Sequence, residues 1–259
     1  MDLGLKGKKV LITGGSKGIG ASCGHAFAAE GANVILVSRT AELLQKTADE
    51  IRSRHQVQVE TYAADLSQGP AREDTMQRYG DVDILVNNAG AIPGGSIEDL
   101  TMERWIESWQ LKVFGYIHMT KLALAAMKPR KAGIICNIIG MAGPAPRWDY
   151  VAGSTGNAGL NAFTKAIGSR SVDFGVRVFG INPAATLTDR IITISRQRAK
   201  STLGDENRWE ETLGASNLPF GRIKTPEEVA ALAVMCCAPQ VEYLSGAMID
   251  MDGGGQFRR

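Results

Sequence analysis

Short runs of β-branched and other apolar residues alternate along this chain with longer stretches whose apolar positions recur at helical spacing. "KKVLIT" (8–13) predicts a strand, and Ile19 to Glu30 a helix ended by Gly31. "NVILV" (33–37) predicts a second strand, followed by a helix over about 41–54. "QVETYAA" (58–64) and "DILVN" (83–87) predict the third and fourth strands. A long helix is expected over about 102–128, stopped by Pro129, and then a fifth strand, "GIICNII" (133–139). A second long helix is expected from Tyr150 to Asp173, and "VRVFGIN" (176–182) is a sixth strand stopped by Pro183. A polar, arginine-rich segment follows to about 217. Pro226 opens a helix with Glu227 and Glu228 in its first turn, where carboxylates suit the helix dipole. "AMIDMDGG" (247–254) supplies the last strand and a glycine turn. Strands apolar on both faces, alternating with helices, imply a parallel sheet covered on two sides. With no repeat, low-complexity tract or linker in view, residues 1–259 read as one α/β domain, a doubly wound, Rossmann-type parallel sheet with helices on both faces.

Composition narrows the partners. At 259 residues and 44% hydrophobic content, the chain can bury one large core. A formal net charge of +2 offers no basic excess for nucleic acid. Apolar stretches such as Val34 to Val37 and Ile134 to Ile139 are too short for a bilayer, so no membrane association is expected. "MDLGLKGKKV" lacks the apolar run of a signal peptide. Cys23, Cys136, Cys236 and Cys237 show no metal-ligand spacing, and His25, His55 and His118 form no cluster, so no metal is expected. Buried thiols in a reducing, cytoplasmic setting are the natural reading.

"TGGSKGIG" (13–20) lies between the first strand and the first helix. Gly14 and Gly18 let the backbone approach a ligand, and Gly20 allows close packing of helix on strand. With Ser16, Lys17 and Ile19 they form a turn whose N–H groups can cradle a pyrophosphate. At the end of the second strand an acidic residue would bind the ribose of NAD. Here Ser38 and Arg39 stand there instead, and a guanidinium suits a 2′-phosphate. Lys17 adds a second positive charge, so NADP(H) is expected in preference to NAD(H).

With these features the chain resembles the short-chain dehydrogenase/reductase family over nearly all its length. "TGGSKGIG" resembles the family's cofactor turn, and "NNAG" (87–90) is close to a signature. "AADLS" (63–67), "INPAATLTDR" (181–190), "LPFGRIKTPEEVA" (218–230) and "LSGAMIDMDGG" (244–254) follow in the family's order. The resemblance implies that Asp65 and Leu66 meet the adenine, that Asn88, Ala89 and Gly90 line the cofactor, and that Pro183 and Thr188 flank the nicotinamide amide. It also implies a mobile substrate lid over about 188–215, and a homodimer or homotetramer packed through the two long helices.

The resemblance further implies four catalytic places: a proton-passing tyrosine, a lysine four residues later, a serine thirteen residues before the tyrosine, and an asparagine in the preceding long helix. "GNAGLNAFTKAIG" (156–168) sets the register. It puts Gly153 at the tyrosine place, Asn157 at the lysine place and Gly140 at the serine place, while "WQLKVFG" (109–115) puts Gln110 at the asparagine place. All four residue types differ from the family pattern. Tyr150, about one helical turn before Gly153, is the candidate proton donor, with a side chain able to descend into the space a glycine leaves. An unperturbed tyrosine, with a pKa of about 10, is a poor base at neutral pH and needs a cation, and Arg147 is close in sequence. Asn157 can reach a ribose hydroxyl, and Gln110 can hold a water.

"PAPRWDY" (144–150) lies on the ligand side of such a sheet, where Trp148 and Arg147 can supply a wall and an anion contact. Arg190, Arg196, Arg198, Lys200, Arg208 and Trp209 make the 188–212 segment basic, which suits an anionic small-molecule substrate bearing carboxylate or phosphate. Arg258 and Arg259 read as a frayed end. The leading expectation is an NADP(H)-binding oxidoreductase with a rearranged active site, acting on a small carbonyl or alcohol. A non-redox enzyme (lyase, dehydratase or isomerase) and a catalytically inactive NADP(H)-binding protein remain as alternatives on the same scaffold.

Overall fold

Alternation within the strands builds two apolar clusters. In β1 (Lys9–Thr13) and β2 (Asn33–Ser38), Val10, Ile12, Val34 and Leu36 join one, while Leu11, Ile35 and Val37 join the other. Successive side chains of a strand point to opposite faces, so strands apolar at every position need cover on both. Three helices cover the first face: α1 (Gly18–Ala29), α2 (Ala41–Arg54) and α8 (Pro226–Cys237) contribute Phe27, Leu44, Ile51 and Val229. On the second face, α3 (Gly69–Tyr79) and α5 (Val113–Met127) contribute Met76, Tyr79, Met119 and Met127. All four cysteines are buried free thiols, and burial pushes the Cys23 thiol up to about 12.

The remaining strands are β3 (Val59–Ala63), β4 (Ile84–Asn87), β5 (Gly133–Ile138), β6 (Val176–Pro183) and β7 (Met248–Met251). All pairings are parallel, in the order β3-β2-β1-β4-β5-β6-β7. The chain therefore runs outward from β1 on one side and returns to pair β4 on the other. The connections diverge at the carboxyl ends of β1 and β4, which opens a crevice there. α6 (Val151–Ser171) and α7 (Asp189–Leu203) lead away from that end.

This computed structural model describes residues 1–213 and 218–257, except the side chains of Gln197, Arg198 and Ser201. Positions 214–215 of the expected lid, the Arg198 side chain, Arg258 and Arg259 lie outside the described residues. α3, with Pro70 in its first turn, stands where no helix was expected, and the arginine-rich segment opens with α7, capped by the Thr188 hydroxyl accepting from Ile191 N. The helix expected over 102–128 is broken into α4 (Met102–Leu111) and α5, with Lys112 at the junction. No glycine or proline stands at that junction; the break coincides with the Lys112 side chain turning inward to the Ile139 carbonyl. Among the described residues, no helix is long and apolar enough to cross a membrane.

Candidate active site

The glycine turn is held from several sides. Gly14 and Gly18 have φ of 68° and 54°, a left-handed conformation that glycine takes without steric cost. A Cβ on Gly20 would lie 2.1 Å from the Gly14 carbonyl oxygen, so only glycine lets α1 begin this close to the turn. The Ser16 carbonyl accepts from Thr47 Oγ1 at 3.1 Å, tying the turn to α2, and Ile19 packs on the first apolar cluster. Across the turn, Asn88 N and Ala89 N donate to Thr13 Oγ1 at 2.9 and 3.0 Å, and Asn88 Nδ2 donates to the Thr13 carbonyl. The N–H groups at the start of α1 are thereby presented to the crevice.

Lys17 and Arg39 are exposed just beyond the ends of neighbouring strands β1 and β2. Among the described residues, neither is in an ion pair. Ser38 Oγ is buried with no hydrogen-bond partner. Asp65 accepts from Ser67 N at 3.1 Å beyond β3, and the neighbouring Leu66 is buried. The Pro183 carbonyl accepts from Met141 N at 3.1 Å, and the Thr188 methyl would stand 3.2 Å from a Cβ on Gly18. The start of α7 therefore faces the glycine turn directly.

Gly153 and Tyr150 pack together at the start of α6. Tyr150 immediately precedes α6, and Gly95 frames it, donating from N to the Asp149 carbonyl at 2.9 Å and accepting at its own carbonyl from Val151 N at 3.2 Å. Its ring folds back over the helix: a Cβ on Gly153 would lie 2.0 Å from ring atoms Cε1 and Cζ. Only a glycine allows this placement. Burial raises the Tyr150 pKa, while Arg190, through its charge and a hydrogen bond, and Arg147 pull it back in part. The cation in contact thus comes from α7, forty residues on.

Asn157 lies one turn further along α6. Its Nδ2 donates to the Gly140 carbonyl at 3.4 Å, and its Oδ1 is buried without a partner. Gly140 has φ 136°, and a Cβ there would meet Asn157 Nδ2 at 3.1 Å. On the next carbonyl back, Ile139, the Lys112 ammonium donates at 2.5 Å. Its stem packs on Gly90, where an added Cβ would be 2.8 Å from Lys112 Cδ. Burial and the positive Arg190 pull the Lys112 pKa down to about 7.

Gln110 does not reach this centre. It lines a shallow hollow on the other side of the helix pair with Arg72, Phe114 and His118, and its carbonyl accepts from Arg72 Nη1 at 2.9 Å. Residues two apart on a helix point about 200° apart, so Gln110 and Lys112 face opposite ways. Lys112, which the sequence reading did not single out, is the side chain of this helix pair that turns toward the strand ends. A signal existed: Lys112, Tyr116 and Thr120, spaced i, i+4, i+8, form one polar stripe facing the strand ends. Tyr116 donates to the Ile138 carbonyl at 2.8 Å, and Thr120 accepts from Asn87 Nδ2 at 3.2 Å.

Arg147 is not an available anion contact, because it pairs with Asp149 at 2.7 Å (Nη2 to Oδ2) and 3.0 Å (Nε to Oδ1). Trp148 is 66% exposed rather than a pocket wall. In the basic segment Arg208 is likewise neutralised, by Glu211 at 2.7 Å. Arg190, exposed at the start of α7, reaches over the loop after β4, donating to the Gly90 carbonyl at 3.3 Å and to the Ile92 carbonyl. Among the described residues, no group of His, Cys, Asp and Glu is placed to hold a metal ion.

The comparisons with known proteins agree with this architecture. D-β-hydroxybutyrate dehydrogenase of Cupriavidus necator is 33% identical over 257 residues, covering 96% of this chain and 98% of that protein. The structure of L-sorbose reductase from Gluconobacter frateurii, complexed with NADPH and L-sorbose, superposes with a TM-score of 0.92 at 29% identity, over 100% of both chains. A putative NAD(P)-dependent gluconate 5-dehydrogenase from Beutenbergia cavernae, with bound NADP, superposes with a TM-score of 0.88 at 25% identity, again over 100% of both. Residues 8–199 match the family model described as short chain dehydrogenase, and with these relatives the seven-stranded sheet and its crevice place the chain in the short chain dehydrogenase family of oxidoreductases.

Proposed function

We propose that this chain is an NADP(H)-dependent oxidoreductase for a small carbonyl or alcohol, with a rearranged centre in which Tyr150 is the proton donor. One observation carries the reading: the Tyr150 ring occupies the space beside Gly153 that any side chain there would fill. When bound, the nicotinamide would supply the hydride. Similarity to L-sorbose reductase and D-β-hydroxybutyrate dehydrogenase, both named for small hydroxy or keto compounds, supports the substrate class.

The residues present fit the cofactor. Gly14, Ser16, Lys17, Gly18, Ile19 and Gly20 would hold the pyrophosphate, and Lys17 with Arg39 the 2′-phosphate of NADP(H). The buried, unpartnered Ser38 Oγ and Asn157 Oδ1 are acceptors that ribose hydroxyls can satisfy. Asp65 and Leu66 would border the adenine, Asn88, Ala89 and Gly90 the middle of the cofactor, and Pro183 with Thr188 its amide end.

Tyr150 does the acid chemistry. Its raised pKa keeps the hydroxyl protonated at neutral pH, ready to give a proton to an alkoxide forming above it. Reduction of a carbonyl is therefore the favoured direction near neutrality. Arg190 orients the hydroxyl and stabilises the tyrosinate left after transfer. Because Arg190 belongs to α7, the donor is completed by the segment proposed as the lid, α7 with the helical turns at Glu206–Leu213. Exposed Met102, Ile106 and Phe114, at 63%, 54% and 45%, favour a homodimer or homotetramer packed through the long helices.

The test is NADPH oxidation, followed by absorbance, over a panel of small ketones and aldehydes. Turnover is expected, and Tyr150→Phe should lower kcat by about 10²–10⁴ with cofactor affinity unchanged. Product formed with no change in nicotinamide absorbance would replace this reading with a non-redox one. Tight NADPH binding with no product would replace it with a sensor.

A further inference from the structure

Lys112 and Arg190 enter the crevice from opposite sides and converge on the loop after β4. The Lys112 stem packs on Gly90, and Arg190 donates to the carbonyls of Gly90, at 3.3 Å, and of Ile92. Neither meets a carboxylate among the described residues. Their partners are neutral backbone oxygens and the Tyr150 hydroxyl. Arg147, Arg208 and Arg222 all find acids within 2.7 Å, and the buried Arg177 is saturated by the carbonyls of Cys236, Val241, Cys237 and Ala238. Arg190 and Lys112 are neither neutralised nor saturated. The charge of Arg190 acts against that of Lys112. Lys112 is half-buried and Arg190 exposed, so the two like charges repel across partly screened space, a repulsion that an anion placed between them would relieve.

The seats proposed for the cofactor's phosphates are the glycine turn and Arg39, at the ends of β1 and β2, whereas this pair converges at the ends of β4 and β5, beside Tyr150. An oxidised nicotinamide would add a third positive charge here rather than cancel one.

We propose that Lys112 and Arg190 form a seat for a carboxylate of the substrate, so that the reacting compound is a small oxo- or hydroxy-acid whose carbonyl or alcohol lies at Tyr150. This rests on the oxidoreductase reading for the reaction, but the seat itself is a binding property. Arg190 presents planar N–H groups suited to a carboxylate edge, and Lys112 adds a point charge from the other side. Beside the seat lie Tyr116, whose ring centroid is 6.0 Å from Lys112 Nζ, and Tyr150, on which the Arg147 charge also acts. Both tyrosines are neutral near pH 7, and among the described residues no carboxylate is ion-paired with Lys112 or Arg190.

The test is calorimetric binding of 3-oxobutanoate and its isosteric amide, 3-oxobutanamide, to the NADP⁺-loaded protein near pH 6. The acid should bind at least about tenfold more tightly than the amide, with the difference shrinking as salt is added. Lys112→Met and Arg190→Gln should each remove most of that preference, whereas Lys112→Arg, which keeps the charge, should retain it. Tyr150→Phe should lower kcat by about 10²–10⁴ yet leave the acid preference intact, so failure of the seat and failure of the proton donor are told apart. Equal binding of acid and amide, a preference that survives both charge-removing variants, or no acid binding on the order of tens of millimolar would overturn the proposal.

Discussion

Lys112→Met tests whether the positive charge in the crevice is held at a cost to the fold. Lys112 is half-buried, its ammonium has one hydrogen bond, to Ile139, and burial together with Arg190 takes its pKa from 10.5 to about 7. Between those values the unfolded chain holds a proton that the folded protein has released, so stability rises with pH across that window. Below about 7 both states are charged and the full penalty applies. At ~1.4 kcal/mol per pH unit, the gap sets a ceiling near ~5 kcal/mol. Solvent access to a partly exposed side chain reduces that to about 1–2 kcal/mol. Methionine removes the charge and keeps most of the stem packing on Gly90, but leaves the Ile139 carbonyl without its donor, a loss of about 1 kcal/mol. The variant should therefore melt higher than the parent at about pH 6, and the advantage should fall by about 1 kcal/mol, or ~2–4 °C, by about pH 9. Thermal denaturation followed by circular dichroism at the two pH values reads this directly. A Lys112→Met advantage that does not change with pH, or one that grows toward alkaline pH, would refute the argument that burial has depressed this amine.

Gly153→Ala should expel the Tyr150 ring, since its Cβ would fall 2.0 Å from two ring atoms; turnover should drop about 10²-fold with a stability cost of about 1–3 kcal/mol, and unchanged kinetics would show that the ring is not needed there. Arg39→Ala should weaken NADPH binding about tenfold or more in a fluorescence titration while leaving NADH binding alone; equal losses for both would remove Arg39 from the 2′-phosphate. The kcat for carbonyl reduction should be level through neutral pH and fall only above the ordinary tyrosine range, while alcohol oxidation climbs toward the same raised pKa; an oxidation kcat that plateaus below neutrality would assign the base to another group. Gly20→Ala should disrupt the cofactor turn, because its Cβ would fall 2.1 Å from the Gly14 carbonyl oxygen, and retained NADPH affinity in that variant would contradict the turn's role.

Most of the sheet was legible because its signal is local. Within "NVILV" and "DILVN", Val34 to Val37 and Ile84 to Val86 are apolar at consecutive positions, as a strand covered on both faces requires. The glycine turn was legible for a similar reason: its glycines, its position between β1 and α1, and the cations beyond β1 and β2 all lie close together in sequence. α3 and α7 were harder to see, since "GPAREDTMQRY" and the arginine-rich stretch from Asp189 carry few apolar residues to mark a helical face. Gln110 illustrates a different limit. A family motif counts places in residues, but a crevice is entered at an angle, and two residues reverse the direction on a helix. The polar stripe Lys112, Tyr116, Thr120 carried the angular information, and it favoured Lys112. Nothing local could link Tyr150 to Arg190. Arg147, three residues away, was the cation that sequence proximity suggested, yet its guanidinium is paired with Asp149 and acts on Tyr150 only after Arg190. The cation in contact with Tyr150 arrives with α7, so in the proposed mechanism proton donation depends on how the chain returns after β6, and a mobile α7 would make the proposed donor competent only while that helix is in place.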